Sequence, residues 1–290
     1  MANLLSLKRR IKAAGNVSKT TRAMQMIAAS KLKKAQNAAI AGRPYMEKLV
    51  SISQNILGKL DGKYSHKYMR KPEKNSLASE KSLVLVFSPD KGLCGGLTNN
   101  LIREVFSFNS QNKNNIYLTV GKKTETAVAS LQKEIIASFK FGTTLPLFDM
   151  VLPLVKIIDE YFLGKKVASV KIISTNFLNV FSQKPKITNI LPIELPQEVT
   201  PSALFSLFEP TPEEILPPLL RHYLEMTIYQ NLLECFASEQ GIRMVAMQNA
   251  TDNALEIVQD LKLEYNKGRQ EKITNEILDI GGTAFAYSYE

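Results

Sequence analysis

The sequence predicts a mixed α+β and α/β chain: long helices at both ends that pair with each other, and a small α/β domain between them. Three observations predict it. Apolar residues recur at alternating steps of four and three near both ends, short β-branched runs separated by helix-length stretches fill the middle, and the ends carry opposite charge. The expected boundaries are 1–60 for the N-terminal coiled-coil helix, 61–81 for a linker, 82–198 for the α/β domain, 199–211 for a Pro-rich linker and 212–290 for the C-terminal coiled-coil helix.

From Leu7, the residues Leu7, Ile11, Ala14, Ala28, Leu32, Ala35, Ala39, Met46, Leu49, Ile56 and Leu60 fill 11 of 16 seam positions with apolar side chains. The seam breaks at Ser18, Thr21 and Gln25. There the apolar residues shift to Val17, Met24 and Met26, which predicts a turn toward a different neighbour. Residues 1–50 hold 11 Lys and Arg against the single acid Glu47, so this segment matches the net charge of +10 for all 290 residues. A basic, acid-poor N-terminus also suits a mitochondrial transit peptide, but the pattern runs well past presequence length. At ~1.5 Å per residue a helix from Leu4 to Leu60 spans ~85 Å, far beyond the ~13 Å radius of gyration of a compact 100-residue domain. Such a helix must project, and its seam needs a partner.

After the basic linker Gly62 to Lys81, Leu83–Phe87, Ile116–Val120 and Val167–Ser174 read as strands of a small, mostly parallel sheet. Thr124–Ala137 and Leu145–Phe162 read as covering helices, and Asn179–Leu195 as an edge strand. Between the first strand and a following helix lies Asp90-Lys91-Gly92-Leu93-Cys94-Gly95-Gly96. It stands where phosphate loops stand, yet it has neither the G-x-x-x-x-G-K-[ST] order nor G-x-G-x-x-G. A tight structural turn at Gly92, Gly95 and Gly96 is the expectation, with Cys94 and Cys235 as small buried side chains.

Leu191 to Pro218 is proline-rich and leads into the second long helix. Thr211 is placed as N-cap, Pro212 suits the first helical position, and Glu213 and Glu214 favour the positive end of the helix dipole. Pro217 and Pro218 call for a kink or a later start. Met247, Ala250, Ala254, Ile257 and Leu261, then Ile273, Ile277 and Ile280, mark the second seam, and residues 241–290 carry five basic and eight acidic side chains. The C-terminal helix is therefore the natural partner of the basic one.

Several function classes fall away. Two cysteines and two histidines make no metal site, and no cofactor or catalytic constellation is expected. Thr144–Leu163, the longest apolar region, is broken by prolines and charges and cannot be a membrane span. A nucleic-acid-binding arm would explain the basic helix but not the acidic helix beside it, and Tyr45 is the only aromatic in residues 1–50 on which a base could stack. A small α/β enzyme would explain only the middle.

Leu7-Lys8-Arg9-Arg10-Ile11-Lys12 and the stretch Thr20 to Leu32 (TTRAMQMIAASKL) resemble the N-terminal helix of the gamma subunits of F-type ATP synthases. Ser88 to Leu97 (SPDKGLCGGL) is similar to that family's strand-to-helix turn. The strongest match to the family is Ser238-Glu239-Gln240, Arg243 to Met247, Ala250 to Ala254, Tyr265-Asn266-Lys267, Arg269-Gln270 and Ile273 to Ile277, in family order and spacing.

The resemblance implies a left-handed antiparallel coiled coil running through a hexamer of alpha and beta subunits. It also implies a Rossmann-like α/β domain at the foot, beside the epsilon subunit and the membrane-embedded c-ring. Ion flow would turn ring and shaft, and the shaft would drive ATP synthesis on the beta subunits without being a catalyst itself. Met24, Arg243, Arg269, Gln270, Thr274 and Glu276 match positions that the family uses against beta subunits, and the basic face with Lys31, Lys33 and Lys34 suits an acidic loop there. Gly241-Ile242 and Gly268 stand where the family more often has Ala, and the tip from Gly281 to Glu290 is longer and more aromatic. The region before Pro201 lacks the Cys-containing insertion of chloroplast members. A peripheral protein on the cytoplasmic face of a bacterial inner membrane, with no nucleic-acid partner, is the resulting expectation.

Overall fold

The computed structural model describes residues 4–60, 66–70, 81–112, 114–194 and 209–287. Most of the two expected linkers and the end of the tip lie outside the described residues. The elements are α1 (Leu4–Lys59), a short 3-10 turn (Lys67–Met69), β1 (Ser82–Phe87), α2 (Leu97–Gln111), β2 (Asn115–Val120), α3 (Lys122–Ser130), β3 (Ile135–Phe139), a second 3-10 turn (Phe148–Met150), α4 (Val151–Leu163), β4 (Ser169–Phe177), β5 (Gln183–Leu191) and α5 (Pro212–Tyr287). They divide into two compact units, one of residues 1–27 with 244–290 and one of residues 28–243.

The first unit is an antiparallel helix pair. Thr21 Oγ1 lies 2.7 Å from Thr251 Oγ1, and a Cβ on Gly268 would stand 3.5 Å from Leu4 Cδ2. Seventeen residues separate Leu4 from Thr21 and seventeen separate Thr251 from Gly268, so both contacts belong to one register. The seam of α1 is Leu7, Ile11, Ala14, Ser18, Thr21 and Gln25, all buried or half-buried, at an unbroken 4,3 spacing. Here the sequence reading is corrected. Ser18 is 7% exposed, whereas Val17 and Met26 are 52% and 60% exposed, so the seam does not turn to another neighbour but runs straight through polar residues.

Hydrogen bonding is the reason. Each hydroxyl also has a carbonyl of its own helix in reach, Met247 O at 2.8 Å for Thr251 and Val17 O and Ser18 O at 3.0 and 3.1 Å for Thr21. Whichever of the two donates across the seam, the other keeps a backbone acceptor, and a polar pair satisfied inside a seam specifies register as an apolar pair cannot. On α5 the seam is Met247, Thr251, Ala254, Val258, Leu261, Tyr265 and Gly268. Ile257, Ile273 and Ile277, expected on it, are exposed. Ile257 is one residue out of phase, and Ile273 and Ile277 lie past the level of Leu4. Beyond Gly268 the helix continues to Tyr287, about 28 Å at 1.5 Å per residue.

The second unit is built on a five-stranded sheet of order β3-β2-β1-β4-β5. β1 pairs in parallel with β2 and β4, β2 with β3, and β5 runs antiparallel on β4. β1 and β2 are buried on both faces, as their continuous apolar runs require. Val84, Val86, Tyr117 and Ile173 pack with Leu101, Val105 and Phe108 of α2 and Val128 of α3 in one core.

The helix expected over Thr124–Ala137 is instead α3 followed by β3. Gln132, at φ 53°, reverses the chain, and the β-branched pair Ile135 and Ile136 then finds a strand partner in β2, so tertiary pairing overrides the helical period. The helix expected from Leu145 starts only at Val151, which places Pro153 in its first turn, where a missing N–H costs nothing. At α5, Thr211 O accepts from the amides of Glu214 and Ile215, as an N-cap carbonyl does. The later start is excluded, because Pro217 and Pro218 lie inside α5. Burial of Leu216, Leu220 and Leu224 offsets the two lost amides.

One anchor sits in the expected 61–81 linker. Tyr68 is buried, donates its hydroxyl to Asp159 Oδ1 at 2.6 Å and accepts from the Ile193 amide at its carbonyl. Burial and that carboxylate push its phenol up.

Candidate functional site

The turn after β1 is positioned by two conformational demands. Leu93 and Gly95 take φ of 62° and 54°, and a Cβ on Gly95 would stand 3.0 Å from Ile242 Cγ2 of α5. Gly95 thus answers both a left-handed backbone and a close helix. Gly96 is the N-cap residue of α2, and Gly92 faces open space.

What this turn can do chemically is limited by Asp90. Its Oδ1 accepts from the Lys122 amide at the start of α3 (3.0 Å) and its Oδ2 from the Gly142 amide (2.8 Å). Ser88 Oγ accepts the Thr124 amide of the same first turn at 3.2 Å. Two of the first-turn amides of α3 are therefore held by side chains of the chain itself and are not open to a phosphate. At Gly121, φ 111°, a Cβ would collide with Ser88 O, so the two backbones pass in contact there. Among the described residues no three His, Cys, Asp or Glu side chains group as metal ligands. Cys94 and Cys235 are buried, and burial pushes the Cys235 thiol up, away from nucleophilic ionisation.

The six expected contact residues do not form one site. Arg269, Gln270, Thr274 and Glu276 are exposed and gather on the part of α5 that runs past Leu4. Thr274 Oγ1 donates back to Gln270 O at 2.9 Å. Glu276 pairs with Lys272 at 3.5 Å, an exposed pair that contributes little. Met24 is half-buried on α1, level with residue 248 in the shared register and so about 31 Å along the pair from Arg269.

Arg243 belongs to the second unit. Its side chain is 13% exposed, it pairs with Glu239 Oε1 at 2.6 Å, and it donates to Lys91 O and Gly92 O. Burial pushes the Glu239 carboxyl up, and Arg243 draws it partly back. Glu239 was missing from the expected site, although its i, i+4 spacing to Arg243 is a signal legible in the sequence. Within the basic face, Lys31 donates to Thr143 O at 2.5 Å, whereas Lys33 and Lys34 are exposed.

The chain matches the family model described as ATP synthase over residues 3–286. It is 40% identical over 290 residues to the ATP synthase gamma chain of Dehalococcoides mccartyi strain 195, covering 99% of both chains. It is 37% identical over 300 residues to that of Methylacidiphilum infernorum, again covering 99% of both. Its fold is similar to a chain of the Euglena gracilis mitochondrial ATP synthase OSCP/F1/c-ring structure in rotational state 3. The TM-score is 0.67 at 18% identity, over 98% of this chain and 94% of that one. A chain of the Tetrahymena thermophila mitochondrial ATP synthase central stalk/c-ring structure gives a TM-score of 0.59 at 24% identity, over 80% and 99%.

Proposed function

This chain belongs to the ATP synthase gamma chain family, and from that premise we propose that it is the central-stalk rotor of an F-type ATP synthase. It couples ion flow through a membrane ring to ATP synthesis on beta subunits. The observation that carries the reading is α5 beyond Gly268: the helix runs past the level of Leu4, the first described residue of α1, and presents Ile273, Ile277 and Leu278 bare beside Arg269, Gln270, Thr274 and Glu276. Apolar residues exposed along one projecting helix require a sleeve from other chains. A ring of alpha and beta subunits supplies one, with those four polar residues and Met24 as contacts to beta.

Lys33 and Lys34, both exposed, offer cations to an acidic loop, and the second unit sits with epsilon and the c-ring. The chain performs no catalysis. No helix among the described residues is long and apolar enough to cross a membrane, and the bacterial relatives support a peripheral place on the cytoplasmic face of an inner membrane.

The test is a reversible lock. With Ile277→Cys joined by a disulfide to an introduced cysteine on a beta subunit, ATP hydrolysis by the assembled complex should stop and return on reduction. Undiminished turnover by the locked complex would refute rotation of this helix.

A further inference from the structure

Between Leu232 and Arg243, one side of α5 lies against the carboxyl end of the sheet. Cys235 Sγ reaches Phe87 O at 3.6 Å and Ser238 Oγ donates to Thr175 O at 3.3 Å. Gly241 comes so close to β4 that a Cβ would stand 3.2 Å from Phe177 Cε2. These contacts, with the bond from Ser174 Oγ to Asn231 Oδ1 at 3.1 Å, hold α5 to β1 and β4, and the turn after β1 is tied separately.

Directed bonds to the turn after β1 come from Arg243. Its Nη2 donates to Lys91 O at 3.4 Å and Gly92 O at 3.3 Å, while its Nη1 is held by Glu239 Oε1 at 2.6 Å. Glu239 is 4% exposed at its side chain, and its second oxygen, Oε2, is buried without a hydrogen-bond partner among the described residues. A buried carboxylate left half-satisfied is a poor way to stabilise a fold, since apolar residues of like volume do as well or better. It is a good way to aim a planar guanidinium, whose donors leave in fixed directions.

We propose that Glu239 is a positioning residue for rotary coupling: by holding Arg243 on the Lys91 and Gly92 carbonyls, it fixes the angular setting of the sheet on α5, so that torque passes between them without slip. The proposal rests on the rotor reading above. It also gives Arg243 a task inside the chain.

Glu239→Gln keeps the side-chain shape and removes the counter-charge of Arg243, and circular dichroism of the full chain reads whether the fold is kept. In assembled complexes in vesicles it should hydrolyse ATP like the parent while pumping several-fold fewer ions per ATP. Glu239→Leu combined with Arg243→Met refills the space but has no donor for the turn, and should stay as poorly coupled. In the full chain, Glu239→Gln should speed hydrogen exchange at the amides of residues 91–96 and leave those of β1 and β2 unchanged. Parent-like pumping per ATP by the Leu/Met variant would overturn the proposal and leave the pair as interior packing. Unchanged exchange in the turn would overturn it as well, even for a variant that fails to assemble. If the parent complex itself does not pump, the rotor reading fails, and the exchange result still decides whether Glu239 sets the joint.

Discussion

Replacing Gly268 by alanine should make the helix pair more stable, and the structure allows the size of the effect to be worked out. Gly268 lies inside α5 with no positive φ, so its backbone already has the conformation that alanine prefers. The added Cβ would stand 3.5 Å from Leu4 Cδ2, ordinary van der Waals distance, with no other atom of the described residues outside its own helical backbone within 4 Å. Nothing must move. The gain is then the helix propensity difference between Gly and Ala, up to ~1 kcal/mol, part of it through a less flexible unfolded chain. For a chain of this size that corresponds to ~2–4 °C in Tm.

Gly95→Ala is the internal control with the opposite sign. Its φ of 54° and the 3.0 Å approach of Ile242 Cγ2 should cost ~1–2 kcal/mol from the left-handed backbone alone. Thermal unfolding followed by circular dichroism at 222 nm, with hydrogen exchange at seam amides, separates the two. A lower Tm for Gly268→Ala would refute the reasoning, because the close packing of α1 on α5 would then have no room for a methyl group.

Thr21→Val or Thr251→Val alone should cost ~1 kcal/mol, whereas both together should be nearly neutral; a double-mutant cycle in thermal unfolding checks this, and additive losses would mean that the hydroxyls do not interact. Lys33→Gln with Lys34→Gln should weaken coupling at low salt and leave the fold intact, whereas Lys31→Gln should loosen the loop at Thr143; equal pumping by parent and double variant in vesicles would make that pair a solvated face. Burial first, and Lys67 second, hold the His66 pKa below its ordinary 6.5. The unfolded chain therefore binds the proton first, and the stability that His66 contributes is present above pH 6.5 and lost as pH falls through the lowered folded value. The Tyr68 amide donates to His66 Nδ1 at 3.2 Å, and its protection, taken relative to the intrinsic exchange rate at each pH, should fall over that range and stay constant there in His66→Gln.

The long helices were legible because a heptad repeat is a statement about faces, and the faces of α1 and α5 are what the fold buries. The errors came where polarity stood in for position. Ser18, Thr21 and Gln25 look like a break until Thr251 is seen opposite, since no hydropathy pattern shows that two hydroxyls satisfy each other. Ala250 and Ile257 follow from Met247 if the first step of the seam is three residues; that step is four, to Thr251, and so the phase places Val258 on the seam. The strand at Ile135 was hidden in a helical period that only its pairing with β2 resolves, and Tyr68 was hidden in a polar stretch. At the site, the glycines of the turn were readable as a group, but that Asp90 fills the helix end and that Arg243 points inward toward Glu239 are facts of three-dimensional placement.

The bond between Thr21 and Thr251 spans 230 residues, and this has a consequence for the chain's birth. The first helix emerges from the ribosome long before the partner of its seam exists. At ~5–20 residues per second the wait is about 10–50 s. A seam of Leu and Ile throughout would spend that time seeking other chains. One built of Ala14, Ser18, Thr21, Gln25 and Ala28 at its centre is apolar enough to close on α5 and polar enough to stay solitary until then.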